Sequence, residues 1–386
     1  MKERPEFKNI ICFKKQKSLT AYINLFCIIF ILGIILQNIV LASDYNSIYN
    51  EAMDLAKNHK YEDAYYKFQE SVKSPDAEMS ANSLYASGDC MLKMWDYKKA
   101  AEYYNKFIDK YPDNKNILQV KYLLARCCIE QKTLNEAKEL LQEVSNKSKD
   151  TQLLSLDKHA IGLIYIEEKK YPEALKEFQD VVNNYPAKDY KEDKKTYYMD
   201  SSFLVKDFDP IIIKNKEISG TIAPISMFEI GHVYQLMQKY DDAIKIFSDV
   251  AEKYPSGLLG FNSRYTIGKC YREQNKNKEA VEVFKELIKS NETESIRAFT
   301  QTILFQTYLN MKEYKLAIEE LNKMVKECKS KSWQAEAQYF LGYAYQAMQD
   351  KENAKKEYKK VIDNYKDQNK WAKAAEERII LLEKNK

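Results

Sequence analysis

The residue types that most often catalyse reactions or bind metals are sparse in this chain. His59, His159 and His232 lie far apart, and none belongs to an HExxH motif or another paired metal-ligand spacing. The sequence has no GxxxxGK[ST] or GxGxxG loop for phosphates and no GxSxG nucleophile elbow. Acidic residues are scattered in the manner of solvated helix faces. We therefore predict that the protein is not an enzyme and has no catalytic residues, no metal site and no cofactor.

The elements that position the side chains are helices arranged in a sequence repeat. One alanine recurs at intervals of 36 or 37 residues, with a single interval of 69, at Ala64, Ala100, Ala137, Ala174, Ala243, Ala280, Ala317 and Ala354. Twelve residues before each alanine is a second position, called here the glycine position, which holds Ala52, Gly88, Ala125, Gly162, Gly231, Gly268, Phe305 and Gly342. Glycine inside a helix costs about 1 kcal/mol relative to alanine. Its recurrence therefore indicates that two helices approach each other closely.

Aromatic residues and prolines complete the pattern. Four residues after each alanine are Phe68, Tyr104, Leu141, Phe178, Phe247, Phe284, Leu321 and Tyr358. Three residues after each glycine position are Leu55, Met91, Cys128, Tyr165, Tyr234, Tyr271, Tyr308 and Tyr345. Pro112, Pro186 and Pro255 follow second helices, which their fixed φ and missing N–H bring to an end. Together these positions resemble the tetratricopeptide repeat (TPR) family.

The resemblance implies an all-α fold, a right-handed superhelical solenoid of about eight helix–turn–helix repeats with a C-terminal capping helix. Repeats 1–4 would occupy residues 44–186, repeats 5–8 residues 224–368, and the capping helix residues 369–386. Residues 187–223 interrupt the period, and we consider three interpretations: a tolerated surface loop, a partner-contacting flap or a degenerate repeat. The repeats exceed the usual length of about 34 residues. In this they look like exported bacterial envelope proteins, such as the Tol–Pal system coordinator and the outer-membrane assembly lipoproteins.

In the TPR family the first helix of each repeat lines the inner face of the superhelix. The resemblance thus implies two inward positions per repeat, three residues before and one residue after the glycine position. The predicted binding residues of this concave groove are Tyr49, Tyr85, Tyr122, Arg126, Phe228, His232, Tyr265, Lys269, Tyr339 and Tyr343. Tyrosine combines a rigid ring with a polar tip and is favoured at binding hot spots, so we interpret the groove as a site for an extended peptide or a partner helix. The alternative is that tyrosine, with 30 copies in the chain, lines the groove passively.

Five cysteines follow residue 43, and their number and positions favour packing over disulfide formation. They are Cys90, Cys127, Cys128, Cys270 and Cys328. The odd number argues against complete pairing, and three of the five share one repeat position, two residues after the glycine position. We interpret them as small buried side chains, with a redox-active Cys127–Cys128 pair as the alternative.

The N-terminal residues 1–43 carry a basic start followed by the almost wholly apolar residues 21–42. This pattern predicts a signal peptide cleaved after Ala42 or, alternatively, an uncleaved anchor in the inner membrane. In both cases the repeats are exported to the periplasm or cell envelope. Residues 1–43 contain six Lys or Arg and two Asp or Glu, so the rest of the chain has 55 of each sign. This balance argues against binding to nucleic acid, which requires a basic surface.

These observations predict a non-enzymatic scaffold for protein–protein interactions in the bacterial cell envelope. It would bind a segment of another envelope protein, of unknown identity, in the concave groove, in envelope maintenance or division. The alternative is a recognition module for cell-wall or exported polysaccharide, because tyrosine rings also stack on sugars. In that case the ligand is a glycan.

Overall fold

A computed structural model describes residues 44–186, 222–255, 257–290 and 293–384, which contain helices and connecting turns but no strand. The predicted signal peptide or anchor, and nearly all of the predicted interruption, lie outside the described residues. The chain divides into two compact units, Met1–Asp157 and Lys158–Lys386, with the boundary inside one helix. Within the described residues, no helix is long and apolar enough to span a membrane.

The first unit contains three complete helix pairs and the beginning of a fourth. Its helices are α1 (44–57), α2 (Tyr61–Ser71), α3 (Ala77–Lys93), α4 (Tyr97–Lys110), α5 (Ile117–Glu130), α6 (Leu134–Lys147) and the start of α7 (Thr151–Glu167). The side chain of Asp76 caps α3 by accepting from Glu78 N at 2.9 Å, and Asp96 caps α4 by accepting from Lys99 N at 3.1 Å. Each bond satisfies an N–H that has no partner within the helix.

The second unit continues the same arrangement to the end of the described chain. Its helices are the rest of α7, α8 (Tyr171–Asn184), α9 (Ala223–Leu236), α10 (Tyr240–Lys253), α11 (Gly257–Glu273), α12 (Asn277–Lys289), α13 (Glu294–Asn310), α14 (Tyr314–Glu327), α15 (Lys331–Ala347), α16 (Lys351–Asn364) and α17 (Asn369–Lys384). Helices α8 and α10 end two residues before Pro186 and Pro255, as the sequence predicts, because the residue preceding a proline is driven out of the helical region. The predicted all-α fold is confirmed: the residues that the structure describes form eight helix pairs followed by a single helix.

The recurring alanine and the glycine position form the contact between the two helices of a repeat. All eight alanines are completely buried. At Gly268, a Cβ atom would lie 2.5 Å from Cε1 of Phe284, on the second helix of the same repeat. The ring thus occupies the volume that a side chain at the glycine position would need. In the two repeats with Ala125 and Phe305 at this position, the facing residue is a leucine instead of an aromatic residue.

A left-handed residue joins the two helices of every repeat. Its φ lies between 59° and 64° at His59, Trp95, Lys132, Lys169, Gln238, Asn275, Lys312 and Gln349. The following N–H bonds back to a carbonyl five residues earlier, as from Lys170 N to Tyr165 O at 2.8 Å. This bond is the long one of a Schellman motif, which ends the first helix and reverses the chain. No glycine occupies the position, although glycine would adopt this φ at the lowest cost.

Candidate functional site

The ten predicted binding residues lie on the first helices of six of the eight repeats, and we call them the first-helix surface. Six of them lie three residues before the glycine position, and five of these six contact the aromatic residue on the second helix of their own repeat. The exception is Tyr122, whose repeat has Leu141 there instead. The ring centroids are 5.6 Å apart for Tyr49 and Phe68, and 5.0 Å apart for Phe228 and Phe247. Such pairs contribute about 0.5–1.5 kcal/mol beyond their buried area. These residues therefore contribute to the cores of their repeats, whatever else they bind.

Exposure differs among the six aromatic residues at this position. Tyr122, Phe228 and Tyr339 are buried and, as placed, offer little surface to a partner. Tyr49, Tyr85 and Tyr265 are partly buried. Their burial follows from the size of the neighbouring side chains, which the sequence spacing does not reveal. The binding role of all six stays a prediction.

The position one residue after the glycine position is more open. Arg126, His232 and Lys269 are partly buried, and Tyr343 is 37 % exposed. In the second unit, Nζ of Lys269 lies 5.8 Å from the ring centroid of Tyr265, within the range of a cation–π contact. Here a charged group and an aromatic ring lie side by side at the surface.

His232 has a buried acidic neighbour on the same helix. Its Nδ1 lies 3.0 Å from Oε2 of Glu229, a residue that is itself buried. Burial lowers the pKa of His232, but the Glu229 carboxylate raises it by more, so the net shift is upward; Lys269 opposes this shift. The imidazole therefore gains a proton at a higher pH than a free histidine.

Arg378 on α17 is a residue of this surface that the sequence analysis missed. Its Nε donates a hydrogen bond to the hydroxyl of Tyr339 at 3.2 Å, and its guanidinium lies 5.8 Å from the ring centroid of Tyr343. The capping helix thus brings a cation to the last first-helix residues. Because α17 lies outside the repeat register, no spacing signal in the sequence pointed to this contact.

Asp89 is the second missed residue, and it follows Gly88 at the same repeat position as Arg126 and His232. Its Oδ1 accepts a hydrogen bond from the hydroxyl of Tyr104 at 2.7 Å. Burial raises the pKa of this carboxyl group to about 7, while the Tyr104 bond and the charge of Lys93 lower it less strongly. The repeat register alone placed Asp89 among the inward residues, but gave no indication that it was buried.

The five cysteines are all buried and unpaired, as the sequence analysis predicted. Burial raises the pKa of the Cys90 and Cys127 thiols to about 12 and of the Cys270 and Cys328 thiols to about 11. Because the reactive species is the thiolate, these side chains act as small apolar groups near neutral pH. Across the described ranges, no group of His, Cys, Asp or Glu residues is arranged to hold a metal ion.

The fold and its repeated first-helix surfaces define an all-α helical-repeat protein. The family model of the tetratricopeptide repeat-like domain matches residues 44–196 and 229–379. The chain therefore belongs to this family, whose members are generally non-catalytic scaffolds that bind peptides or proteins. No curated protein sequence matches the chain significantly.

The solved structures that resemble this chain share little sequence with it. The apo form of the quorum sensor NprR from B. thuringiensis is 16 % identical with a TM-score of 0.52, covering 83 % of this chain and 86 % of that chain. A tetratricopeptide repeat protein from Parabacteroides merdae is 15 % identical with a TM-score of 0.43, covering 77 % and 98 %. PilF from Pseudomonas aeruginosa is 14 % identical with a TM-score of 0.44, covering 68 % and 98 %.

Proposed function

We propose that the protein is a non-enzymatic scaffold of the bacterial cell envelope that binds a segment of another envelope protein on its first-helix surface. The observation that carries the proposal is the side-by-side placement of charged and aromatic groups on the first helices and, through α17, beside the last of them. Lys269 with Tyr265, and Tyr343 with Arg378, are examples in the second unit. Rigid aromatic rings and arginine are the residue types that most often dominate protein interfaces. The charges would orient the bound segment, and the rings would supply most of its buried area.

Capture of partners from intact cells by crosslinking and mass spectrometry tests the proposed surface. The test variant is Lys269→Ala with Tyr343→Ala, which removes two accessible side chains from first helices. The matched control is Lys315→Ala with Leu316→Ala, because both residues are exposed on α14, a second helix. Neither variant removes a side chain of the buried core, so the circular dichroism spectra and melting temperatures should match those of the wild type.

An envelope protein captured by the wild type and the control, but lost from the test variant, would support the proposal. Equal capture by all three chains would rule out this surface as the binding site. A third result is the absence of any captured protein, together with retention on isolated cell wall that soluble glycan abolishes. That result would favour polysaccharide recognition instead.

Export is a separate part of the proposal and has its own test. The support for it is the basic start and the apolar residues 21–42. Fractionation of cells and N-terminal sequencing of the recovered chain distinguish the alternatives. A soluble periplasmic chain beginning at Ser43 indicates cleavage, whereas a membrane-bound chain that retains residues 1–42 indicates an anchor. Recovery in the cytoplasm would contradict export.

A further inference from the structure

Asp89 is a buried carboxylate with one oxygen left unpaired. The residue is 7 % exposed, and Oδ1 accepts from the Tyr104 hydroxyl at 2.7 Å. Oδ2 has no hydrogen-bond or ion-pair partner among the residues that the structure describes, and it is not sealed from solvent. A buried acid normally pairs with a cation or accepts several hydrogen bonds, because an uncompensated buried charge is costly. This side chain does neither.

Packing of the repeat does not require an acid at this place. Tyr358 occupies the same repeat position as Tyr104, and its hydroxyl is satisfied by the uncharged Gln346 Oε1 at 3.0 Å. Other repeats place phenylalanine there and need no acceptor at all. The need to satisfy Tyr104 explains a polar group at residue 89, but it does not explain a group that ionises.

Tyrosines from two first helices lie near the carboxylate. The ring of Tyr85 on α3 is 6.5 Å from that of Tyr104, whose hydroxyl donates a hydrogen bond to Asp89, and Tyr49 on α1 is within range of the charge of Asp89. An ionised Asp89 raises the pKa of Tyr49 on α1 and of Tyr85 on α3, in each case after the larger effect of burial. The groups electrostatically coupled to Asp89 are Tyr49 on α1, Tyr85, Cys90 and Lys93 on α3, Tyr104 on α4 and Cys127 on α5. Lys93 is the cation in this set, and its charge lowers the pKa of Asp89 less than burial raises it. Arg126 acts instead on Tyr122 and Cys127.

We propose that Asp89, together with the rings of Tyr49 and Tyr85, binds a lysine or arginine side chain of the partner segment. The inference rests on the proposed function, because it assigns a charge to the segment that the first-helix surface would hold. The cation would pair with Oδ2, while the rings would contact the apolar stem and the charged head. The basic side chain would supply an ion-pair partner for Oδ2. Because the carboxylate supplies the negative charge that pairs with the cation, binding weakens as Asp89 becomes protonated.

Two small probes test this site without knowledge of the partner. N-acetyl-lysine methylamide carries the cation, and N-acetyl-norleucine methylamide has a similar stem without the charge. Nuclear magnetic resonance titrations of the full chain, following the Asp89 carboxyl carbon and the Tyr85 ring, give the affinity for each. We expect binding of the lysine probe alone, and an affinity about 30-fold higher at about pH 8.5 than at about pH 5.5, as one-proton linkage to a group titrating near pH 7 requires.

The variant Asp89→Asn keeps the acceptor for Tyr104 and removes the charge. It should fold as the wild type does and should lose both the lysine binding and its pH dependence. Equal binding of the two probes to the wild type, unchanged lysine binding in Asp89→Asn, or no binding at either pH would overturn the proposal.

Partner capture separates this inference from the proposed function. Capture that is lost from Lys269→Ala with Tyr343→Ala, but retained in full by Asp89→Asn, would leave the scaffold function intact and overturn the cation site. Loss of capture from Asp89→Asn, with capture retained in full by Lys269→Ala with Tyr343→Ala, would support the cation site and contradict the proposed role of Lys269 and Tyr343 in binding the partner.

Discussion

The stability of the first unit should depend on pH through Asp89, and the substitution Asp89→Asn isolates this effect. In the unfolded chain an aspartate has a pKa near 3.9, whereas burial raises the pKa of Asp89 to about 7 in the folded chain. The folded state therefore holds this proton more tightly than the unfolded state. The stabilisation is fully present below about pH 4 and is lost as the pH rises to about 7, because the unfolded chain releases the proton first.

The size of the effect follows from the difference between the two pKa values. A difference of about 3 units, at 1.36 kcal/mol per unit, makes the wild type about 4 kcal/mol less stable at pH 8 than it would be with a permanently neutral group. Asparagine is such a group and still accepts the Tyr104 hydrogen bond. We expect the two chains to be about equally stable near pH 4 and the variant to be more stable by up to about 4 kcal/mol near pH 8.

Urea denaturation at several pH values, followed by far-ultraviolet circular dichroism, measures the difference between the two chains. Other carboxyl groups also titrate. A hydrogen bond from Lys158 lowers the pKa of Asp180, and hydrogen bonds from Lys121 and Lys147 lower that of Glu143, but both chains share these groups and their effects cancel in the difference. A difference in unfolding free energy that is constant from about pH 5 to about pH 8.5 would refute the reasoning. It would show that Asp89 is solvated or paired in solution.

Three further substitutions test the packing of the repeat by thermal or urea denaturation. Gly268→Ala should lower the free energy of unfolding by about 1–2 kcal/mol. The new Cβ would lie 2.5 Å from Phe284, and this overpacking outweighs the higher helix propensity of alanine. Lys169→Gly should raise the free energy of unfolding by about 0.5–1 kcal/mol. The residue has a φ of 59°, and glycine removes most of this backbone strain, although it also makes the unfolded chain more flexible. Ala174→Arg should cost at least about 1–3 kcal/mol, because the completely buried alanine lies where the two helices of its repeat meet.

Each of these three predictions has an outcome that would contradict it. An unchanged melting temperature for Ala174→Arg would mean that the repeat register is wrong. A stabilised Gly268→Ala would mean that the ring of Phe284 can move away at little cost. A destabilised Lys169→Gly would mean that the lysine side chain makes contacts worth more than the backbone strain. Glycine at Lys176, an exposed residue inside α8, is the matched control and should destabilise by about 1 kcal/mol.

The sequence determined the repeat, the boundaries of its helices and the residues at its helix contact. Glycine, alanine and the facing aromatic residue recur at fixed spacing, because each repeat buries the same face against the same partner. Proline ends helices through its own covalent geometry, which acts within a few residues. Gly268 and Phe284 could therefore be paired from their spacing alone. The burial of the cysteines could be inferred in the same way, from a shared position on the buried face.

Only the tertiary structure decided how each inward side chain is used. Tyr122 and Phe228 are buried while Tyr85 is partly exposed, although all three share one repeat position. Their exposure depends on the volumes of side chains from neighbouring helices, which a period does not encode. The same holds for Asp89, whose raised pKa comes from the surrounding packing, and for Arg378, which reaches the surface from outside the repeat. Spacing thus fixes which residues face each other, whereas packing fixes which remain open to a partner and which carry a perturbed charge.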